Sequence, residues 1–363
     1  MEFKKEKAAY IATFVLFASL LLLFLCNPKA SSAELFRGLK LCAEALIPTL
    51  FPYMVISEML VRSGTASFIS PGVGKITERI FGVSGASGAA ILLGLLCGFP
   101  VGAKTAADLF DSGTISKEEA EKVMGLCNLP SPPFIIFVVG ERLFGSRGAG
   151  IFLYFNLLAA ILIYGIIRRR PLFTPLNYPG IQQAPPIFTV FTESVASAAS
   201  AVIKVCAFVT FFSAFTGGSS SILSEASPEV KAALFSFFEL TSGAAACSAL
   251  SNKELGFILA SAAAGWSGLS VFCQIFSISR AKRESISMRR YLVSRIVTSL
   301  SCAASTAICL KIFPTLLPKS EPAEETVALI SAFPRAFISA VNIIFIISVF
   351  IYLIKKLDRQ HNI

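Results

Sequence analysis

The sequence of 363 residues holds a single histidine, His361, at its far end. Without an imidazole in the apolar body of the chain, most metal binding and acid–base chemistry is excluded. Nine cysteines are present, but no two form a C-x-x-C pair. Cys26, Cys42, Cys97, Cys127, Cys206, Cys247, Cys273, Cys302 and Cys309 mostly sit inside apolar runs, where free cysteine behaves as a small hydrophobe. Neither a disulfide framework nor a zinc site is implied. No Walker loop, dinucleotide fingerprint or paired-aspartate motif occurs, so neither ATP drive nor redox work is supported. The expectation is a protein that is not an enzyme and uses no cofactor and no metal. Charge is scarce too: 15% of residues are charged against 55% hydrophobic, with a mean hydropathy of +0.73. Such a balance excludes an ordinary soluble fold and indicates a multi-span membrane protein. The net charge of +10 does not point to nucleic acid, because the basic residues fall in short segments between apolar runs, as orientation signals do.

What is present is organised around Gly94-Leu95-Leu96-Cys97-Gly98-Phe99-Pro100-Val101-Gly102-Ala103-Lys104. An apolar run enters it, and Gly98, Pro100 and Gly102 then forbid an unbroken helix. The arms Ala86–Leu96 and Val101–Asp111 are each eleven residues. At 1.5 Å per residue each reaches about 16 Å, half of a roughly 30 Å hydrocarbon core. Two such arms around a break describe a re-entrant hairpin over 86–111. Irregular backbone at that depth needs protein or a water-filled cavity to satisfy it, so the break predicts a cavity with Lys104 at its edge.

Five segments follow. Residues 1–33 read as an anchor helix, with Lys4, Lys5 and Lys7 before an apolar run from Ala8 to Cys26 that is longer than a signal-peptide core. Residues 34–170 hold a span over Leu35–Val61 kinked at Pro48 and Pro52, then the hairpin. A polar helix opened by Ser116 comes next, then a break at Asn128-Leu129-Pro130-Ser131-Pro132-Pro133, and finally a run to Arg168-Arg169-Arg170. Residues 171–186, with five prolines, form a linker. Residues 187–314 repeat the order, with a second hairpin at 232–250 interrupted around Glu239-Leu240-Thr241-Ser242-Gly243, and a crossing broken at Gly265-Trp266-Ser267-Gly268. Residues 315–363 hold an acidic loop and a last span over 327–354. Both termini are expected on the cytoplasmic side. The fold class expected is therefore an all-α membrane protein of about eight transmembrane helices and two re-entrant hairpins in inverted-topology repeats, the arrangement of secondary transporters.

The candidate solute-binding residues are those of the breaks: Gly98, Phe99, Pro100, Gly102, Lys104, Asn128, Ser131, Glu239, Thr241, Ser242, Ser267, Ser270 and Gln274. Lys104 reads either as a cation for an anionic solute or as a lysine snorkelling to the interface, with Asp108 one turn away as an ion-pair partner. Glu239 has no charge closer in sequence than Lys231, so it demands a partner, a proton or a function. In an inverted repeat Lys104 and Glu239 are expected on opposite sides of one polar cavity. Thr241 and Ser242 serve either the site or their own backbone. Arg335 reads as an outer anchor or a second cation. The G-x-S-G run at 265–268 fits rhomboid-type intramembrane proteases, but no membrane-embedded histidine exists to activate the serine.

The run GLLCGFPVGAKTAADLFDSGTISKEEAEK followed by NLPSPPFI resembles YlbJ-type sporulation integral membrane proteins, of the nucleoside-recognition or gate-domain group, and FFELTSGAAA and GWSGLSVFCQ are similar to that family's second repeat. The resemblance extends from about residue 34 onward, with Cys97 and Phe99 where serine and tyrosine are common. It implies a location in the bacterial cell membrane or outer forespore membrane, and transport or facilitated passage of a small organic anion, dipicolinate. A non-transporting scaffold for cortex or envelope assembly and a nucleoside-type carrier are the alternatives. Expected partners are the lipid bilayer, a small anionic solute, and either further copies of the chain or other sporulation membrane proteins, with no nucleic acid.

Overall fold

The computed structural model describes residues 2–169, 186–279, 287–313 and 317; the long apolar runs within them form helix, and no strand occurs among these residues. The expected last span at 327–354, Arg335, His361 and most of the 171–186 linker lie outside the described residues.

Helix α1 (Glu2–Cys26) ends where Pro28 cannot donate a backbone hydrogen bond, and the chain bends by 95° into α2 (Pro28–Leu41). The expected anchor over 1–33 is therefore cut at Cys26. Helical backbone then runs on through a π-helix, π1 (Cys42–Leu46), into α3 (Ile47–Arg62). Pro48 lacks the N–H that would bond the Glu44 carbonyl, and the wide turn, with Ile47 N–H bonded to the Cys42 carbonyl, accommodates its ring. The expected span Leu35–Val61 is thus part of a longer, widened helical stretch. Helix α4 (Ala66–Phe81), which the hydropathy pattern did not single out, ends at Gly82 in the left-handed region and turns by 89° into α5 (Gly85–Cys97).

Helices α5 and α6 (Val101–Asp111) form the expected hairpin, with ends within one residue of those read from the sequence. Small residues make it possible: a Cβ added to Gly102 would lie 2.6 Å from Gly94 Cα, so no side chain fits between the arms. Helix α7 (Lys117–Cys127) is capped by Ser116, whose Oγ accepts from Glu119 N–H at 3.2 Å. A broken segment leads to a second π-helix, π2 (Phe134–Leu143), and α8 (Arg147–Ile167). In the second half, α9 (Ile187–Ile222) precedes the hairpin α10 (Pro228–Phe238) and α11 (Leu240–Ser248). This hairpin begins four residues before the expected Ala232, because Ser227 caps it and Pro228 takes the first helical position. Helices α12 (Lys253–Trp266), α13 (Gly268–Ser279) and α14 (Arg289–Ile312) complete the described chain.

The order hairpin, broken helix, long helix occurs twice: α5–α6, α7–π2, α8, and then α10–α11, α12–α13, α14; α4, between α3 and the first hairpin, has no counterpart between α9 and α10. Among the described residues four helical stretches are long and apolar enough to cross a membrane, or up to six if each of the two bent pairs is one span. Large apolar side chains stay exposed along α8 (Phe155, Ile163, Ile167), α9 (Ile203, Phe211) and α14 (Leu300, Ile308), as lipid-facing flanks require. One buried cluster joins the hairpins to α7, α8, α12 and α14. A second lies where Leu50 and Met54 of α3 meet Val202, Val205 and Val209 of α9.

Candidate functional site

Each hairpin tip packs against the break in its own half. Gly98, with φ of +78°, brings the first tip so close that a Cβ there would lie 2.5 Å from Ser131 N, and Phe99 N–H donates to the Leu129 carbonyl at 2.7 Å. The Phe99–Pro100 peptide is cis. In the second half a Cβ on Gly268 would lie 3.1 Å from Leu240 N and 3.2 Å from Glu239 Cα. Trp266 Nε1 donates to the Phe237 carbonyl at 2.9 Å while its ring stacks on Phe237.

Between the tips lies a cavity of about 270 Å³. Phe99, Ser131 and Phe134 line it from the first half, and Glu239, Thr241 and Gln274 from the second; Leu50 of α3 and Val205 and Val209 of α9 close the sides. The lining has a polarity that burial alone does not explain. Around the breaks it comes from Phe99 ahead of α6, Phe134 at the start of π2, Glu239 and Thr241 at the start of α11, and Val271 and Gln274 within α13, whereas α5, α7, α10 and α12, which end at the same breaks, contribute nothing to it. The starts of π2 and α11 therefore face the cavity with their positive poles. The opposite pole of α7 is neutralised behind it. Arg295, 1% exposed, donates from Nη1 to the Asn128 carbonyl at 2.5 Å and from Nη2 to the Gly125 carbonyl at 2.8 Å.

Glu239 is 3% exposed and occupies the start of α11. Its carboxylate accepts from Thr241 N–H and Thr241 Oγ1–H, both at 2.9 Å, and from Ser242 N–H at 2.7 Å. Gln274, 2% exposed, donates from Nε2 to Ser270 Oγ at 3.3 Å, and its Oε1 has no partner among the described residues. Of the sequence candidates, Phe99, Ser131, Glu239, Thr241 and Gln274 come together on this cavity. The others stand behind it: Gly98, Pro100 and Gly102 shape the first hairpin, Ser242 and Ser270 hold Glu239 and Gln274, Ser267 makes the left-handed turn between α12 and α13, and Asn128 donates to Tyr291 Oη at 2.6 Å.

Lys104 is elsewhere. Its Nζ pairs with Glu58 and with Asp108, the latter at 2.9 Å, and it does not line the cavity opposite Glu239. Glu58 also accepts from Arg62 Nε at 2.9 Å and Ser197 Oγ at 2.7 Å, and Arg62 reaches Glu193 at 2.7 Å, so this network ties α3 to α6 and α9. Glu58 and Arg295 were missed by sequence reasoning. The signal for each was present, a charged residue inside an apolar run, which membrane burial makes costly unless it is paired. Glu119, equally buried, accepts from Ser84 N–H at 2.5 Å and Ser87 Oγ at 2.6 Å and so caps α5 from a distant helix, a role that spacing does not reveal.

Paired breaks around an internal cavity, carried by long apolar helices, define a multi-pass integral membrane protein. The chain is similar to the sporulation integral membrane protein YlbJ of Bacillus subtilis (strain 168), at 28% identity over 236 residues that cover 59% of this chain. It spans 57% of the length of that relative. No family model matches the chain, and no solved structure matches it. The similarity supports the YlbJ-type assignment and a membrane protein connected with sporulation.

Proposed function

We propose that the chain is a membrane carrier or facilitator for a small organic anion, with dipicolinate the solute suggested by the family it resembles and the outer forespore membrane its location. The observation that carries this reading is that the starts of π2 and α11, one from each half, face one cavity. Each start acts as a fraction of a positive charge and as a cluster of N–H donors, which suits a carboxylate in a site shielded from water. The apolar side walls, with Phe99 and Phe134, suit an aromatic ring. The recurrence of helix order, with each tip on its own break, supports two repeats of inverted topology that rock about the cavity, about eight spans when 327–354 is included, and cytoplasmic termini.

Glu44 and Glu239, both acidic, favour a second reading, a neutral donor-rich solute of nucleoside type. Vesicles containing only this protein separate the readings. Uptake of labelled dipicolinate supports the anion carrier, and uptake of labelled uridine in its place supports the nucleoside carrier. Movement of neither leaves the scaffold for spore-envelope assembly.

A further inference from the structure

The carboxylate of Glu239 sits where a solute carboxylate would bind. It faces the cavity, lies at the start of α11, and takes two backbone N–H groups and one hydroxyl. These donors are the ones a helix terminus offers to an anion. A second observation points outward from the same wall. Among the described residues, Gln274 Oε1, on a side chain 2% exposed, has no hydrogen-bond partner. A buried acceptor left unmet is costly, so a ligand that brings a donor to it is favoured.

Resting on the carrier reading above, we infer that Glu239 is a tethered stand-in for the solute. The solute is then a carboxylate that also carries a hydrogen-bond donor, an O–H or N–H, as singly protonated dipicolinate does and its dianion does not. Its carboxylate takes Thr241 N–H, Thr241 Oγ1–H and Ser242 N–H when the Glu239 side chain swings away, and its donor meets Gln274 Oε1. When no solute is bound, Glu239 returns and satisfies the end of α11. An empty site is thereby kept closed to other anions, and binding is coupled to movement of the second hairpin tip.

The test is equilibrium binding to the purified full-length protein in detergent at mildly acidic pH, where part of the dipicolinate keeps one carboxyl proton, with three probes: dipicolinate, the hydrogen-bond-donating but uncharged pyridine-2,6-dicarboxamide, and benzoate, a carboxylate with no donor when ionised. The stand-in competes with the solute, so Glu239→Gln, whose side-chain oxygen still caps α11, should tighten dipicolinate binding about tenfold or more. Removal of a competing charge from a water-poor site supplies that factor. Gln274→Leu should weaken dipicolinate but not benzoate, and the dicarboxamide should bind neither protein appreciably. Weaker dipicolinate binding in Glu239→Gln, with the melting temperature unchanged, makes Glu239 a ligand of the solute and overturns the inference while leaving the carrier intact. Equal affinity in wild type and Glu239→Gln overturns it as well. Should Glu239→Gln fail to fold, Thr241→Val replaces it: loss of the shared hydroxyl must change dipicolinate affinity, and an unchanged affinity refutes the shared site. Absence of dipicolinate binding to wild type and to every variant removes the anion-carrier reading itself.

Discussion

Replacing Lys104 by alanine separates a structural role from solute recognition. Its side chain is 14% exposed, and its ammonium group pairs with Glu58, whose side chain is 3% exposed, and with Asp108, 29% exposed. Removing it leaves two carboxylates in a poorly solvated place with one fewer cation. Glu58 keeps Arg62 Nε and Ser197 Oγ, so the loss sits at the low end of the range for breaking a buried pair, about 3 kcal/mol. The cost should be relieved in part by Glu58→Gln in the same chain, because that change removes the stranded charge. A coupling of about 1–3 kcal/mol between the two substitutions is expected. Thermal melting of the purified variants in one detergent measures the stability loss, and dipicolinate binding measured on the folded fraction reports on the site. The reasoning holds if Lys104→Ala melts lower, the double variant recovers, and affinity stays within about twofold. A variant that melts like wild type yet no longer binds dipicolinate would refute it, since the lysine would then serve the solute.

Glycine substitutions should show opposite signs according to what their Cβ meets. Gly94→Ala drives a methyl into the Cys127 carbonyl and should cost about 1–3 kcal/mol, while Gly148→Ala, whose nearest neighbour is Ser146 Oγ at 3.7 Å, should be neutral or slightly stabilising in the same melting assay. Arg295→Met leaves the Gly125 and Asn128 carbonyls unmet and should cost about 2–4 kcal/mol in that assay, with Arg295→Lys retaining part of the stability. In a cysteine-free background, single cysteines at 168–186 should label only from the cytoplasmic side; labelling from outside would show that 86–111 crosses the membrane as a full span.

The hairpins were legible because glycine and proline act locally. Gly98 and Pro100 end one helix and start the next whatever surrounds them, and both arms of the first hairpin end within a residue of the expected positions. The second break was legible through Glu239, a lone carboxylate in an apolar run. Partner choice was not. Lys104 could be placed one turn past the break, but its rotation about α6 depends on what packs there, and Glu58 lies forty-six positions earlier in the chain. Nor could the wide turn at Cys42–Leu46 be read: Pro48 and Pro52 announce a distortion, while its form depends on how the neighbouring carbonyls are satisfied. The convergence of helix starts on one cavity is a property of topology, visible only once each tip is seated on its break.

The central claim, that an organic anion crosses through the cavity between the hairpin tips, is tested most directly by uptake of labelled dipicolinate into vesicles containing either the wild-type protein or Val138→Trp. Val138 is a half-buried wall residue of π2, and an indole there fills the cavity without touching the Lys104 network. Uptake by the wild type that saturates with dipicolinate concentration, abolished in a Val138→Trp protein that still folds, is the predicted result. Equal uptake by both proteins, or none by the wild type, would contradict the account.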